Sequence, residues 1–271
     1  MVHRNDMATN GFTILETIVR DTRTVIADRQ KKHSVSELEQ FPLFGRSCHS
    51  LFDFLVAQPF AIIAEAKKAS PSQGIIREHF DPVSITEGYQ KAGAAAVSIL
   101  TEPLHFKGDI QFLLDCRSAL HIPILRKDFI VDPYQLVEAK AYGADAVLLI
   151  ATILSKSQLS ELQAAAYQLG LSVLLEVYEE RELERVDHDN TPIIGANSRD
   201  LNTFEVDLNH AVRVLSTLPE GCLRIAESGI RSGNDLKWLK QHGIHGALIG
   251  ESFMREADPG LALSTFISSI S

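Results

Sequence analysis

In the stretch FAIIAEAKKASPSQG (60–74) an apolar run turns abruptly into Glu65, Lys67 and Ser70. Side chains two apart in a strand share a face. Glu65 and Lys67 would then point the same way as Ile63, setting an acid and a base at the mouth of a hydrophobic interior. Other apolar runs end alike. Thr101 and Glu102 follow AAVSIL, with Phe106 and Gly108 just beyond, and Lys127, Asp128 and Phe129 follow IPILR. Glu176 follows SVLL, Asn197 and Arg199 follow PIIGA, and Glu227 and Ser228 follow LRIA. Lysines as proton donors or oxyanion partners, with a carboxylate as base, are the components of a proton-transfer site. The competing use is structural: a strand-end ion pair for Glu65 and Lys67, salt-bridge or loop-capping duty for Glu102 and Asp128, a lysine partner for Glu176.

A second feature lies near the C-terminus. AESGI and LIGES each put small residues, Ser228-Gly229 and Gly250-Glu251-Ser252, where a helix is expected to start. Backbone N–H groups at a helix start favour an anion, and phosphate is the natural candidate in adjacent final units of a barrel. The plain alternative is helix capping and tight turns.

One architecture gathers all these residues. Strand-like runs ending at AIIAEAK, AAVSILTEP, IPILRKDF, DAVLLIAT, LSVLLEV, PIIGANSRD, LRIAESG and HGALIGES alternate with helical patterns, among them DPVSITEGYQKAG, SKSQLSELQAAAYQLG and YEERELERV (178–186). Gly93, Gly143, Gly170 and Gly243 stand where C-terminal helix caps belong. Strict alternation makes the strands parallel, and eight of them suit a closed (β/α)8 TIM barrel, an α/β fold whose strand tops surround one site. The rival is an open doubly wound sheet, which lacks its Gly-rich fingerprint here. Residues 1–58 read as an N-terminal helical extension, with helices in FTILETIVRDTRTVIADRQKK and CHSLFDFLVAQ, and residues 59–271 as the barrel of a single overall domain. The extension could close the bottom of the barrel or contribute to the wall of the site.

The chain of 271 residues is 45% hydrophobic, enough for a large core, and its net charge of -9 argues against nucleic acid as the main partner without excluding an anionic substrate. Cys48, Cys116 and Cys222 have no metal or disulfide spacing, and the start MVHRNDMATNGF has no apolar signal core. These features suggest a reduced, cytoplasmic protein with no membrane span and no metal site.

The motifs IAEAKKASPSQG, SILTEPLHFKGDIQFL, PILRKDFIVDPYQ, LLEVY, IIGANSRDL, IAESGI and LIGESFMR, in this order, resemble the indole-3-glycerol-phosphate synthase family of tryptophan biosynthesis. The resemblance implies closure of the indole ring of a carboxyphenylamino-deoxyribulose phosphate with loss of CO₂ and water, and no metal or organic cofactor. It implies Lys127 as the general acid, Glu176 as the base, Glu65 and Lys67 as an assisting pair, and Asn197 as a holder of the substrate's polar chain. It further implies that Ser70, Arg199 and Glu227 orient the substrate, and that Phe106 and Phe129 wall the aromatic pocket. The phosphate would meet Lys67, Ser228, Gly229, Gly250, Glu251 and Ser252. The expected partner is a phosphorylated small molecule, and the chain a monomer or weak homo-oligomer with no fused isomerase domain. The polar segment ERVDHDNTPIIGAN departs from the family pattern and leaves the end of the fifth helix open.

Two other classes stay open at this stage. A phosphoribosylanthranilate isomerase-like barrel needs a Cys/Asp pair, and none of the three cysteines falls at a strand top. A barrel kept as a scaffold predicts an eroded rim, which this sequence does not have.

Overall fold

The computed structural model describes residues 13–200 and 203–270. Helix α1 (Ile14–Lys32) starts at a capping box, in which Thr13 accepts from the Glu16 backbone N–H and the Glu16 carboxylate accepts from that of Thr13. The short helices α2 (Val35–Leu38) and α3 (Leu51–Val56) follow. Strand β1 (Ala61–Ala66) then leads into a small antiparallel hairpin, β2 (Ala69–Ser70) and β3 (Gly74–Ile75), before α4 (Pro82–Lys91). Parallel strands now alternate with helices: β4 (Ala96–Leu100), α5 (Gln111–Arg117), β5 (Ile124–Lys127), α6 (Tyr134–Ala141), β6 (Ala146–Ile150) and α7 (Lys156–Gln168). They continue through β7 (Ser172–Val177), β8 (Ile193–Asn197), α8 (Leu208–Ser216), β9 (Leu223–Glu227), α9 (Gly233–Gln241) and β10 (Gly246–Ile249). The four-residue α10 (Glu251–Met254) and α11 (Pro259–Ile270) close the series. Among the described residues no helix is long and apolar enough to cross a membrane.

The barrel closes in the order β1-β10-β9-β8-β7-β6-β5-β4, every neighbour parallel. Four of the helices end on a glycine with φ between +75° and +96°, at Gly93, Gly143, Gly170 and Gly243. One periodicity builds both the core and the site. Ile63, Leu125, Leu174, Ile225 and Leu248 point into the barrel and pack on one another. Two residues on, the same faces carry Glu65, Lys127, Glu176, Glu227 and Gly250. The outward faces, with Ile62, Val97, Val147, Val173 and Ile194, pack under the surrounding helices.

The extension serves both ends of the barrel. Leu51 and Leu55 of α3 join the barrel's inner cluster, and the Leu51 N–H donates to Ser172 Oγ (3.1 Å) at the start of β7, so α3 plugs the bottom. Helix α1 instead brings Ile14, Leu15 and Ile18 to the cavity at the top. His105 Nε2 lies 3.0 Å from Asp21, tying α1 to the loop after β4. The expectations for residues 1–12 fall outside the described residues.

Two expectations change. YEERELERV forms a 3-10 helix over Glu180–Arg185, not a full α-helix. Leu183 is its one apolar residue, Glu182 caps its start by accepting from the Tyr178 N–H (2.7 Å), and the chain leaves the helix at Val186, whose backbone is extended. Ser228-Gly229 does not open a helix either. Both residues are left-handed (φ 65° and 75°), and α9 begins later, capped by Ser232.

Candidate active site

A cavity of about 370 Å³ opens at the carboxyl ends of the strands. Every residue assigned a site role from the sequence lies in its wall: Glu65, Lys67 and Ser70, Phe106, Lys127 and Phe129, Glu176, Asn197 and Arg199, Glu227 to Gly229, and Gly250 to Ser252.

At its centre Lys127 Nζ lies 3.0 Å from Glu176 Oε2 and 3.7 Å from Glu227 Oε2. Lys67 Nζ is 2.5 Å from Glu65 Oε1. Burial alone would favour a neutral Lys127, but its acidic neighbours, Glu176 foremost, outweigh it, and the lysine holds its proton more tightly than in water. The magnitudes agree with that order. One opposite charge at about 4 Å is worth roughly 4 kcal/mol at an effective dielectric of 20, and several act here.

The two glutamates beside Lys127 divide one cation between them. Burial raises the affinity of Glu176 for a proton, but Lys127 and the Asn197 amide together hold it below the ordinary carboxylate range, so it is ionised. Glu227 is pushed well above that range by burial and then by the charge of Glu176, against which Lys127 is insufficient. Of the two acids, Glu227 is therefore the one that binds a proton more readily. The site thus sets an ammonium donor beside two acids whose proton affinities are pushed in opposite directions, within one layer of side chains.

The surrounding residues hold this layer in place. Asn197 donates to Glu176 Oε1 (3.2 Å) and accepts from the Arg199 N–H (3.0 Å), which makes it an orienting group for Glu176. Glu102 accepts from the N–H groups of Leu104, His105 and Phe106 (2.9, 2.7 and 2.9 Å). This is the loop-capping alternative, and it sets Phe106 against Phe129 with ring centroids 5.9 Å apart. Asp128 likewise turns away from the chemistry. Its Oδ2 accepts from Thr101 (2.6 Å) and from the buried Arg126 (2.8 Å).

The last two units differ in detail from the sequence-based picture. Gly250 is the N-cap of α10. A Cβ on Gly250 would overlap Glu65 Oε1, so this glycine makes room for an active-site carboxylate, whatever else its backbone does. Glu251 pairs through its side chain with Arg199 (3.2 Å) and Arg255 (2.9 Å), and the Ser252 hydroxyl donates to the Ile230 carbonyl (2.6 Å). For these two residues only the backbone N–H groups are left to meet an anion. Arg231 and Arg255 also line the cavity and were missed, because neither ends an apolar run. Ile14, Leu15 and Ile18 were missed as individual residues, since a helical stripe does not say which end of a barrel it covers.

A family profile described as "Indole-3-glycerol phosphate synthase" matches residues 15–266. The chain belongs to the indole-3-glycerol phosphate synthase family. It is 49% identical over 255 residues to the indole-3-glycerol phosphate synthase of Salinibacter ruber, covering 93% of this chain and 94% of that protein. It is 46% identical over 259 residues to the one from Rhodopirellula baltica, covering 95% and 100%. Among solved structures, a 3-hexulose-6-phosphate synthase from Salmonella typhimurium superposes with a TM-score of 0.62 at 10% identity, covering 78% of this chain and 98% of that one. An orotidine 5'-phosphate decarboxylase from Pyrococcus horikoshii gives 0.59 at 12% identity, covering 77% and 98%. At such identities the superpositions speak for the barrel fold alone.

Proposed function

We propose that this chain, an enzyme of the carbon–carbon lyase class in tryptophan biosynthesis by its family, converts 1-(2-carboxyphenylamino)-1-deoxyribulose 5-phosphate into indole-3-glycerol phosphate, CO₂ and water. The observation that carries the proposal is the Lys127–Glu176–Glu227 cluster beneath a cavity walled by Phe106 and Phe129.

The chemistry follows from the protonation states. The substrate's ketone must become electrophilic before the ring carbon that bears the carboxylate can attack it. Lys127 donates a proton to the ketone oxygen as the new carbon–carbon bond forms, giving a hydroxyl. Loss of CO₂ returns the bonding electrons to the ring. The hydroxyl then leaves as water, which needs a proton donor beside it and a base for the proton released as the indole double bond forms. Glu176 is that base. Lys67, paired with Glu65, is the second cation near the leaving oxygen, and Glu227 carries an exchangeable proton within reach of Glu176. Ser70 and Arg199 orient the sugar chain. The phosphate sits against the backbone of Ser228-Gly229 and Gly250 to Ser252, with Lys67 nearby and Arg231 and Arg255 on the same wall. Because the phosphate is remote from the reacting carbons, its binding energy serves positioning. The enzyme works without a metal or organic cofactor, in the cytoplasm, as a monomer or weak homo-oligomer that does not bind nucleic acid.

The test is to mix the purified chain with the carboxyphenylamino substrate and follow indole fluorescence. Fluorescence should rise with one CO₂ per indole, and the dephosphorylated substrate should lose most of kcat/KM. No fluorescence from a folded protein, or equal turnover of both substrates, would overturn the proposal.

A further inference from the structure

Gly195 lies in the middle of β8, where a glycine weakens a strand unless something approaches its backbone closely. Its register partners are Glu176 on β7 and Ile225 on β9, so it faces the barrel interior in the layer just below the reacting groups. What approaches it is Glu227. A Cβ built on Gly195 would overlap Glu227 Oε1 and stand 3.1 Å from its carboxyl carbon, with Leu174 Cδ1 at 3.4 Å. Real Cβ contacts do not fall below 3.0 Å. Glu227 Oε1 is buried and has no hydrogen-bond partner among the described residues, whereas Oε2 faces Lys127. The carboxyl is thus lodged with one oxygen in the space over a bare backbone and the other turned to the site.

We infer that Gly195 is a positioning residue: the missing side chain is the slot that holds the Glu227 carboxyl against Glu176 and Lys127. The inference rests on Glu227 acting in ring closure, and it adds a determinant that touches no substrate. The atom in the way is the far end of a flexible side chain, not backbone. A methyl group at this position would therefore be accommodated by Glu227 rotating out toward the cavity, its open side, while the barrel stays closed. Out of the slot the carboxyl is better hydrated and farther from Glu176. It would then ionise at lower pH, although Lys127, Glu176 and Glu65 still face it.

The test compares wild type, Gly195→Ala, Glu227→Asp, the double variant and, as a control, Glu227→Ala. In the wild-type background Gly195→Ala should lower kcat by about tenfold or more, with KM within about threefold of wild type, the pattern of a lost transition-state interaction. The alkaline limb of the kcat–pH profile, set by loss of the Glu227 proton, should also move to lower pH. Aspartate is one methylene shorter and removes the overlap. In the Glu227→Asp background, adding Gly195→Ala should change kcat by less than about threefold. The same loss in both backgrounds would overturn the inference, as would failure of both Gly195→Ala proteins to fold, since either makes Gly195 a general packing residue. Full turnover by Glu227→Ala would overturn it from beneath by removing Glu227 from the reaction; a large loss there, with Gly195→Ala equally harmful in the Glu227→Asp background, would sink the positioning role alone.

Discussion

The two ends of this barrel handle charge in opposite ways. At the bottom, Asp145 is fully buried and fully satisfied. It takes Arg46 (2.8 Å), Arg117 (2.6 Å) and the N–H groups of His49 (2.8 Å) and Ile124 (2.9 Å). Two guanidiniums and two amides meet one carboxylate, which locks the segment before α3 onto the loop before β6. At the top, three glutamates crowd two lysines, burial and Glu176 raise the proton affinity of Glu227, and Glu227 Oε1 has no hydrogen-bond partner among the described residues. Saturated charge gives rigidity. Unsaturated charge gives groups with protons to donate and accept, at a cost in stability that the saturated end helps to offset.

Substitutions at each end can break this comparison. The largest effect is expected from Lys127→Met, which fills similar space without a proton and should cut kcat by about 10²–10⁴-fold, the usual share of a general acid. Steady-state turnover checks it, with circular dichroism to confirm the fold. Asp145→Asn should act on the other quantity. Removing one partner of a buried pair leaves Arg117 uncompensated and should cost about 3–5 kcal/mol in denaturant unfolding, while kcat of the folded fraction stays near wild type.

Glu176→Gln sharpens the account of the rim. As the base of dehydration it acts after decarboxylation, so a single turnover should release CO₂ promptly and indole late. Equal delay of both would place Glu176 in the first step or in binding.

The smallest effect concerns pH and stability. In the folded protein Glu227 holds its proton well above the ordinary value of 4.5, so between that value and its raised one the native state binds more protons than the unfolded chain. Stability from this group is therefore full below pH 4.5 and is lost as pH rises through the window. Glu227→Gln cannot titrate and should flatten that slope, gaining stability relative to wild type as pH rises. Parallel slopes in the two proteins, measured by urea midpoints across the window, would show that Glu227 ionises normally.

Most of the rim was legible because it depends on a two-residue period. Ile63 and Glu65, Leu125 and Lys127, Leu174 and Glu176, and Ile225 and Glu227 each pair a core position with a rim position on one face, and apolar runs make the period visible. What escaped depends on contacts between distant residues. Asp128 looks like a rim acid until Arg126, on the outer face of the same strand, claims it. Ser228-Gly229 looks like a helix start, but its left-handed turn is a tertiary outcome. The β2–β3 hairpin within KASPSQGI is too short to show a pattern. Gly195 was visible as a glycine inside a strand, a known mark of close approach, but the sequence does not say that Glu227 is what approaches.

The most direct test of the division between the two ends is one experiment on three proteins: wild type, Lys127→Met and Asp145→Asn, each measured for single-turnover indole fluorescence and for urea unfolding. The account predicts a crossed result. Lys127→Met should make little or no indole even where it is fully folded, and Asp145→Asn should unfold at much lower urea yet turn over normally while folded. A Lys127→Met protein that closes the ring within tenfold of wild type, or a folded Asp145→Asn protein that loses as much turnover as Lys127→Met, would contradict it.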